Sequence, residues 1–245
     1  MLLLFLTVWE LFADFHIIDS FFFSSPSRVV ACFVRMVSER SLFTHIGITL
    51  TETVISFFLV ALVSLSAATL LWYSRRLSEI LEPFLVVLNS LPKSALAPLL
   101  IVWLGTGMDT IIAAGISVAI FGAIINLYTG FLQADPEKLL LIRTLGGTRR
   151  DCFFKVVLPA SIPVILSNMK VNIGLSLVGV MIGEFLAARR GLGYLIIYGS
   201  QVLQLDMLIT SILLLCIIAM GLISCCSLQS TVIRKKCRTA QSVFL

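Results

Sequence analysis

Charged side chains are scarce in this sequence, and their scarcity decides the broad class of protein. Only 13% of the 245 residues are charged and 59% are hydrophobic, with a mean hydropathy of +1.07. A soluble domain is about 25% charged. The composition therefore excludes a soluble enzyme and predicts an all-α polytopic membrane protein, whose length permits about six spans of roughly 20 residues. The net charge of +5 forms no basic stripe, which argues against nucleic acid as a partner.

Motifs that carry chemistry are also missing. No Gly-x-x-x-x-Gly-Lys-[Ser/Thr] stretch is present, so ATP should not bind by that route. His16 and His45 form no His-Glu-x-x-His motif, which disfavours a zinc protease. A serine hydrolase would need a base inside a span, and nothing marks a nucleophile beside the candidates His16 and Lys93. We expect no catalytic residue, no metal and no cofactor on this chain.

The cysteines carry no disulfide or metal pattern. None belongs to a Cys-x-x-Cys motif, and Cys216, Cys225 and Cys226 lie in one apolar run. They are interpreted as small buried hydrophobes or membrane-edge residues.

Apolar runs predict six membrane spans. The runs cover residues 2–18, 46–73, 81–104, 110–132, 165–188 and 207–228. The first lacks the positively charged start of a signal peptide and is interpreted as an uncleaved span. Residues 19–45 are amphipathic, which predicts a helix lying on the membrane surface. Gly191 and Gly193 predict a re-entrant segment or a short external helix before the last span.

The third run is interrupted by three prolines. Asn89 and Ser90 accompany them. Prolines persist in spans where neighbours or a cavity satisfy the backbone, and a broken span with polar residues is typical of a transport path. An ordinary kink is equally consistent with any one proline. We therefore predict Asn89, Ser90 and Pro92 as candidate residues of the path.

Two further polar residues inside spans are candidates for the same path. Asn126 lies near the end of the fourth run, and Glu184 is the most isolated acid of the fifth. Glu184 either lines the path or pairs with Arg189 or Arg190 at the membrane edge. Small residues of the fifth run predict close approach of another helix; they are Gly174, Ser176, Gly179 and Gly183.

Residues 133–163 form the longest polar interlude, and their signals predict two short helices. Asp135 can cap the first helix, and Pro136 suits its first turn. Gly146 and Gly147 permit the positive φ that ends it.

The second helix of this loop is predicted over about 148–156. Thr148 with Asp151 three residues later has the pattern of a capping box. Pro159 and Pro163 should end this helix or kink its continuation. The loop could be a plain connector, but two capped helices are more structure than a connector requires. The pattern therefore indicates a docking surface.

Basic residues are concentrated on one side of the predicted spans. The polar loop, Arg75 with Arg76, and the 229–245 tail carry more lysines and arginines than the opposite side. The positive-inside rule then places the loop and both termini in the cytoplasm.

The spacing of Gly146 and the run Val156-Val157-Leu158-Pro159 resembles the cytoplasmic loop of ABC importer permeases. That loop reads Glu-Ala-Ala, three residues, Gly, nine residues, an aliphatic residue, any residue and Leu-Pro. Other segments are similar to the nitrate, sulfonate and taurine branch of the family: Trp9-Glu10-Leu11, Pro26-Ser27, Ser90-Leu91-Pro92, Pro98-Leu99, Trp103-Leu104-Gly105-Thr106-Gly107, Asp135-Pro136 and Gly191-Leu192-Gly193-Tyr194-Leu195-Ile196. Leu140-Leu141-Ile142 replaces Glu-Ala-Ala, which removes a charge and two small residues from the part that faces the ATPase.

The resemblance implies a type I, MetI-like permease fold in the bacterial cytoplasmic membrane. The single permease domain would cover 1–245, with its core at about 46–228, the coupling loop at 133–163 and a basic tail at 229–245. The resemblance also implies a homodimer in membrane lipid, an ABC ATPase dimer below it and a periplasmic or lipoprotein solute-binding protein above it. ATP and magnesium would bind to the partner ATPase. The cargo would be a small solute such as nitrate, a sulfonate, taurine, bicarbonate or a thiamine precursor.

Within the loop, the resemblance implies a set of residues that couple to the ATPase. They are Leu140, Leu141, Ile142, Gly146, Thr148, Arg149, Arg150, Phe153, Phe154, Leu158 and Pro159. The apolar side of the second helix, with Phe153, Phe154 and Val157, is expected to enter a groove on the ATPase. Arg149 and Arg150 are expected to meet acidic groups at the rim of that groove.

Two other classes of protein remain as alternatives. A stand-alone channel or an ion-coupled secondary carrier would explain the broken third span and Glu184, but not the structured loop. An intramembrane enzyme would need a catalytic constellation that the sequence lacks.

Overall fold

The computed structural model describes residues 7, 9, 10 and 24–242, with side chains up to residue 231. The predicted first span, 2–18, lies almost entirely outside the described residues. The described part of the chain is helical, with no strand. Its helices are α1 Pro26–Ser38, α2 Ser41–Tyr73, α3 Arg75–Ser90, α4 Lys93–Leu104, α5 Met108–Leu132, α6 Pro136–Thr144, α7 Arg149–Cys152, α8 Leu158–Ala187, α9 Leu192–Gln201 and α10 Leu205–Ser242. A π-helical turn, Phe153–Val157, joins α7 to α8.

Four helical stretches in this part of the chain are long and apolar enough to cross a membrane. They are Ser41–Tyr73, Met108–Leu132, Arg149–Ala187 and Leu205–Thr231. The second, fourth, fifth and sixth predicted spans are therefore confirmed as helices. All four begin earlier than predicted: those at Met108 and Leu205 by two residues, and those at Ser41 and Arg149 by more.

The third predicted span is broken into α3 and α4, which meet at 96°. The break lies at Leu91 and Pro92, where Leu91 is extended with φ −63° and ψ 139°. Proline disfavours the helical conformation in the residue before it and has no N–H to continue the ladder. The Nζ atom of Lys93 donates to the carbonyls of Leu88 and Asn89, which the break leaves without helical partners. Of the three prolines, only Pro92 interrupts the helix, since Pro83 and Pro98 lie inside α3 and α4.

Small residues bring α5 and α8 into close contact at the core of the bundle. A Cβ atom on Gly179 would lie 2.7 Å from Gly115 Cα, and one on Gly183 would lie 2.9 Å from Ile111 Cα. The predicted close approach is therefore present at Gly179 and Gly183. It is absent at Gly174, where an added Cβ would meet nothing within 4 Å.

The amphipathic segment before the second span forms α1, which packs against the bundle. Ser25 caps it by accepting a hydrogen bond from the backbone N–H of Arg28. Cys32 and Met36 are buried against α9 and α10, whereas Val34 on another face is exposed. One side of α1 thus covers protein, and the other side can face the membrane as predicted.

Candidate coupling loop and polar groove

The first helix of the polar loop has the predicted start and end. The Asp135 side chain accepts a hydrogen bond from the Glu137 backbone N–H at 3.0 Å, and Pro136 is the first helical residue. At the other end, the N–H of Gly146 donates to Arg143 O and the N–H of Gly147 donates to Ile142 O. These two bonds form a Schellman motif, and Gly146 has the φ of +82° that it requires. Gly147 leaves no room for a side chain, since a Cβ would lie 2.4 Å from Ile142 Cγ2.

The second loop helix begins as predicted but does not end at the prolines. Thr148 and Asp151 form a capping box. The helix then widens into the π-helical turn, where the N–H of Leu158 donates to Phe153 O five residues back. Pro159 and Pro163 lie inside the continuing helix. A widened turn changes the hydrogen-bond register just before Pro159, where the ordinary ladder would clash with its ring. The loop therefore runs without a break into the membrane-spanning α8.

The structure corrects the predicted position of Phe153. Its side chain is 3% exposed and lies in a core cluster, with ring centroids 5.2 Å from Trp72 and 5.6 Å from Phe131. Val157 is fully buried in the same cluster, which Leu158 flanks. The prediction that Phe153 and Val157 belong to an exposed docking face is therefore wrong. The π-helical turn directs both side chains onto the ends of α2 and α5.

Arg149 is also held by its own chain. Its guanidinium donates to Trp72 O at 3.3 Å and lies 5.6 Å from the centroid of the Trp72 ring. Arg150 is exposed. Arg149 thus fixes the loop to the end of α2, a contact that the sequence prediction of a rim residue missed.

An exposed apolar surface remains on the loop after these corrections. It consists of Leu140, Leu141, Leu145 and Phe154, and we call it the apolar loop surface. Leu145 is 79% exposed, and the sequence analysis did not predict it as part of this surface. Its position four residues after Leu141, directly before the two glycines, could have indicated that it shares a helix face with Leu141. Ile142 is only partly exposed because it packs beneath Gly147. The residues that replace the family's Glu-Ala-Ala therefore place two leucines, Leu140 and Leu141, on this surface.

A polar groove lies between α5 and α8 near the loop end of the bundle. It encloses about 390 Å³, and its polar lining is Asn126, Thr129, Gln133, Ser167 and Asn168. Asn126 was predicted as a path residue, and it lines this groove. The sequence analysis did not predict the other four. A signal was present, because residues 126, 129 and 133 are spaced so that they share one face of a helix, and residues 167 and 168 are adjacent on the next long helix.

The break between α3 and α4 lies beside the same face of α5. Asn89 Oδ1 would be 3.4 Å from a Cβ on Gly122, which is one helical turn from Asn126. Ser90 donates to Val86 O within its own helix, and Pro92 is exposed at the break. Asn89 thus lies beside the face of α5 that carries Asn126, and the shared path stays a prediction.

Glu184 does not line an open surface in this structure. It is 1% exposed, and its carboxylate accepts hydrogen bonds from Thr49 Oγ1 at 2.6 Å and from the Gly193 N–H at 2.5 Å. The N–H of Leu192 donates to Thr49 Oγ1 at 2.9 Å, which fixes the threonine hydroxyl. The first turn of α9 therefore holds the acid, and a Cβ on Gly191 would lie 2.4 Å from the carboxylate. The prediction that Glu184 lines the path is wrong for this conformation.

The alternative pairing of Glu184 with the two arginines is also wrong. Arg189 and Arg190 are exposed and line a cavity of about 490 Å³ at the end of the bundle opposite the loop. Neither forms an ion pair with Glu184 among the described residues. Glu52 also lines this cavity, and its carboxyl group is buried close to that of Glu184. The acid is thus bound to α2 and α9 and kept apart from the arginines.

The loop, the broken third span and the small-residue contacts define a transport permease that crosses the membrane several times. The chain belongs to the family described as "Binding-protein-dependent transport system inner membrane component", which matches residues 60–238. It is a transmembrane permease subunit of an ABC importer in the inner membrane, as the sequence analysis predicted.

Individual relatives and solved structures agree with this family. A probable ABC transporter permease protein of Haemophilus influenzae is 30% identical over 89% of this chain and 88% of the relative. The formylaminopyrimidine transport permease protein ThiX of Halalkalibacterium halodurans is 28% identical over 78% of this chain and 76% of the relative. An inward-facing structure of the MetNI methionine ABC transporter has a TM-score of 0.68 at 18% identity, covering 82% of this chain and 97% of that chain. That similarity confirms the MetI-like fold.

Proposed function

We propose that two copies of this chain form the membrane channel of an ATP-driven importer for a small solute. Two ATPase subunits bind the polar loops from the cytoplasm, and a solute-binding protein delivers the solute from the other side. Both termini lie in the cytoplasm. ATP and magnesium are bound by the ATPases, and this chain carries no cofactor. Family membership supports the ATPase and the binding protein as partners.

The apolar loop surface is the observation that carries this proposal. Leu145 and Phe154 are 79% and 61% exposed, and both lie within residues 135–155, a segment rich in charged side chains. Several large apolar side chains exposed on one short polar segment are typical of a protein interface. A partner that covers this surface would remove it from water. The continuous helix from Arg149 to Ala187 would then carry a movement of the partner directly into the membrane.

The homodimer is supported by polar side chains that a lipid environment would disfavour. Asn89 and Ser90 are exposed at the break of the third span, and Asn126 is exposed on α5. Each polar group left in hydrocarbon costs several kcal/mol. A second copy facing this side would enclose these residues around a hydrated path. The path therefore runs between the copies.

The solute belongs to the small polar compounds carried by this family. The relative from H. halodurans is named for formylaminopyrimidine, a small polar heterocycle. Nitrate, sulfonates, taurine and bicarbonate are the other expectations from the sequence resemblance. We propose a small polar solute and narrow this class below.

Co-purification with the ATPase tests the proposal. Leu145→Ala and Phe154→Ala should each lower the amount of ATPase retained and lower ATP-driven uptake, because exposed anchors dominate interface energy, with truncation costs of about 2 kcal/mol or more. Leu62→Ala is the matched control, since Leu62 is similarly exposed but lies within a span. Retention of the ATPase by both loop variants at the parental level would contradict the proposal. Uptake that continues without ATP would instead favour a channel or an ion-coupled carrier.

A further inference from the structure

The polar groove between α5 and α8 has a chemical character that narrows the class of solute. Its polar side chains are two hydroxyls and three amides: Thr129, Ser167, Asn126, Gln133 and Asn168. No charged residue lines it. Asn126 lies about 9 Å along the helix from the end of α5 at Leu132, which places it within the membrane span. Polar side chains in a groove at this depth need hydrogen-bond partners, which water or a polar solute can supply.

The orientation of one amide is fixed by its own hydrogen bond. Asn168 Nδ2 donates to Ala123 O at 3.3 Å, and a carbonyl oxygen can only accept. The Oδ1 atom of Asn168 must therefore be the other amide atom, and it has no hydrogen-bond partner. A buried acceptor without a donor is destabilising, because its hydrogen bond to water is lost and not replaced. An occupant of the groove that reached Oδ1 with an N–H or O–H group would remove this cost, whereas an anion lacking such groups would not.

The cations of the neighbouring spans are not placed to hold an anion in the groove. Lys93 uses its ammonium group on the carbonyls of Leu88 and Asn89 and lies 5.9 Å from the centroid of the Phe121 ring. Lys170 lies on the same helix as Ser167 but is not among the residues that line the groove. Nitrate or a sulfonate would lose part of its hydration shell on entering the groove and would find no counter-charge on its lining, which is costly.

We infer that the groove binds an uncharged solute that offers both hydrogen-bond donors and acceptors, such as an amino-substituted nitrogen heterocycle. Amide side chains pair with such rings through two hydrogen bonds at once, as asparagine and glutamine do with adenine. Asn126 and Gln133 are the exposed amides available for this pairing, and Ser167 faces them from α8. This inference rests on the proposed transport function and specifies its cargo.

Cysteine protection tests the inference on the full chain, without the ATPase. Ser167→Cys should react with a water-soluble maleimide, because the groove is hydrated, whereas the parent gives the background of the native cysteines. 4-Aminopyrimidine at millimolar concentration should slow this labelling several-fold, and nitrate and methanesulfonate should not. Thr144→Cys is the control, since Thr144 is exposed on the polar loop outside the groove, and 4-aminopyrimidine should leave its labelling unchanged.

Two further variants make the test sharper. In the Ser167→Cys background, Asn126→Ala should raise the concentration of 4-aminopyrimidine needed for half-maximal protection about tenfold. This is the effect expected from losing one to two hydrogen bonds. Thr129→Lys supplies a counter-charge and should allow methanesulfonate to protect.

Two results would overturn the inference. One is protection of the parental groove by nitrate or methanesulfonate, and the other is no protection by 4-aminopyrimidine. Failure of the proposed function would appear separately, as loss of ATPase binding in the co-purification experiment.

Discussion

Truncation of two adjacent phenylalanines should separate the folding of this loop from its docking. Phe153 is 3% exposed, with ring centroids 5.2, 5.5 and 5.6 Å from Trp72, Tyr73 and Phe131. Replacing a buried phenylalanine by alanine costs about 3–5 kcal/mol. Phe154 is 61% exposed and contacts Phe153 edge-on at 5.4 Å, a pair worth about 0.5–1.5 kcal/mol. The stability loss should therefore be several-fold larger for Phe153→Ala.

Intrinsic tryptophan fluorescence during thermal unfolding measures this difference in detergent. One kcal/mol corresponds to about 2–4 °C for a chain of this size, so Phe153→Ala should melt roughly 10 °C below the parent. Phe154→Ala should melt within a few degrees of the parent and yet retain less ATPase in a pull-down below the melting range. Phe153→Ala melting with the parent while losing the ATPase would refute the assignment, because Phe153 would then be the docking residue.

Three further predictions concern backbone geometry and topology. Gly191→Ala should nearly abolish folded protein on size-exclusion chromatography, because its φ of +120° and the Glu184 carboxylate leave no room for a Cβ, whereas Gly221→Ala should be tolerated. Thr148→Ala should cost about 1 kcal/mol by removing a helix cap, detectable as faster proteolysis of the loop, and an unchanged cleavage rate would contradict the capping role. A cysteine at Thr148 should be labelled only from the cytoplasm and one at Thr106 only from outside; the reverse pattern would overturn the topology.

The features predicted correctly from the sequence are those that depend on a few adjacent residues. The Asp135 cap, the Schellman motif at Gly146 and the capping box at Thr148 are each built from groups within five residues of one another. The break at Pro92 has the same local character, because proline acts on its own N–H and on the residue before it. Such signals can be recognised before any tertiary structure is known.

The features that the sequence did not reveal depend on distant partners. The sequence pattern predicted Phe153 on an amphipathic docking face, but its side chain packs against residues of α2 and α5. Glu184 is held by Thr49, far earlier in the sequence, and by the first turn of α9. The polar groove needed two helices side by side before its residues could be grouped. Packing between helices that are distant in the sequence decides whether these side chains are buried and what they contact. Local sequence propensity carries no information about that packing.

The helix from Arg149 to Ala187 joins two sites that would otherwise move independently. Its 39 residues form a rod of about 58 Å, with the Trp72 contact at one end and the Glu184 carboxylate near the other. A tilt of about 10° at the loop would displace the far end by roughly 10 Å if the rod stayed straight. The π-helical turn, Phe153–Val157, lies near the loop end of this helix, where the ATPase would apply force. At the other end, the hydrogen bonds of Glu184 to Thr49 and Gly193 would have to break or move with the helix, and they would therefore resist the displacement.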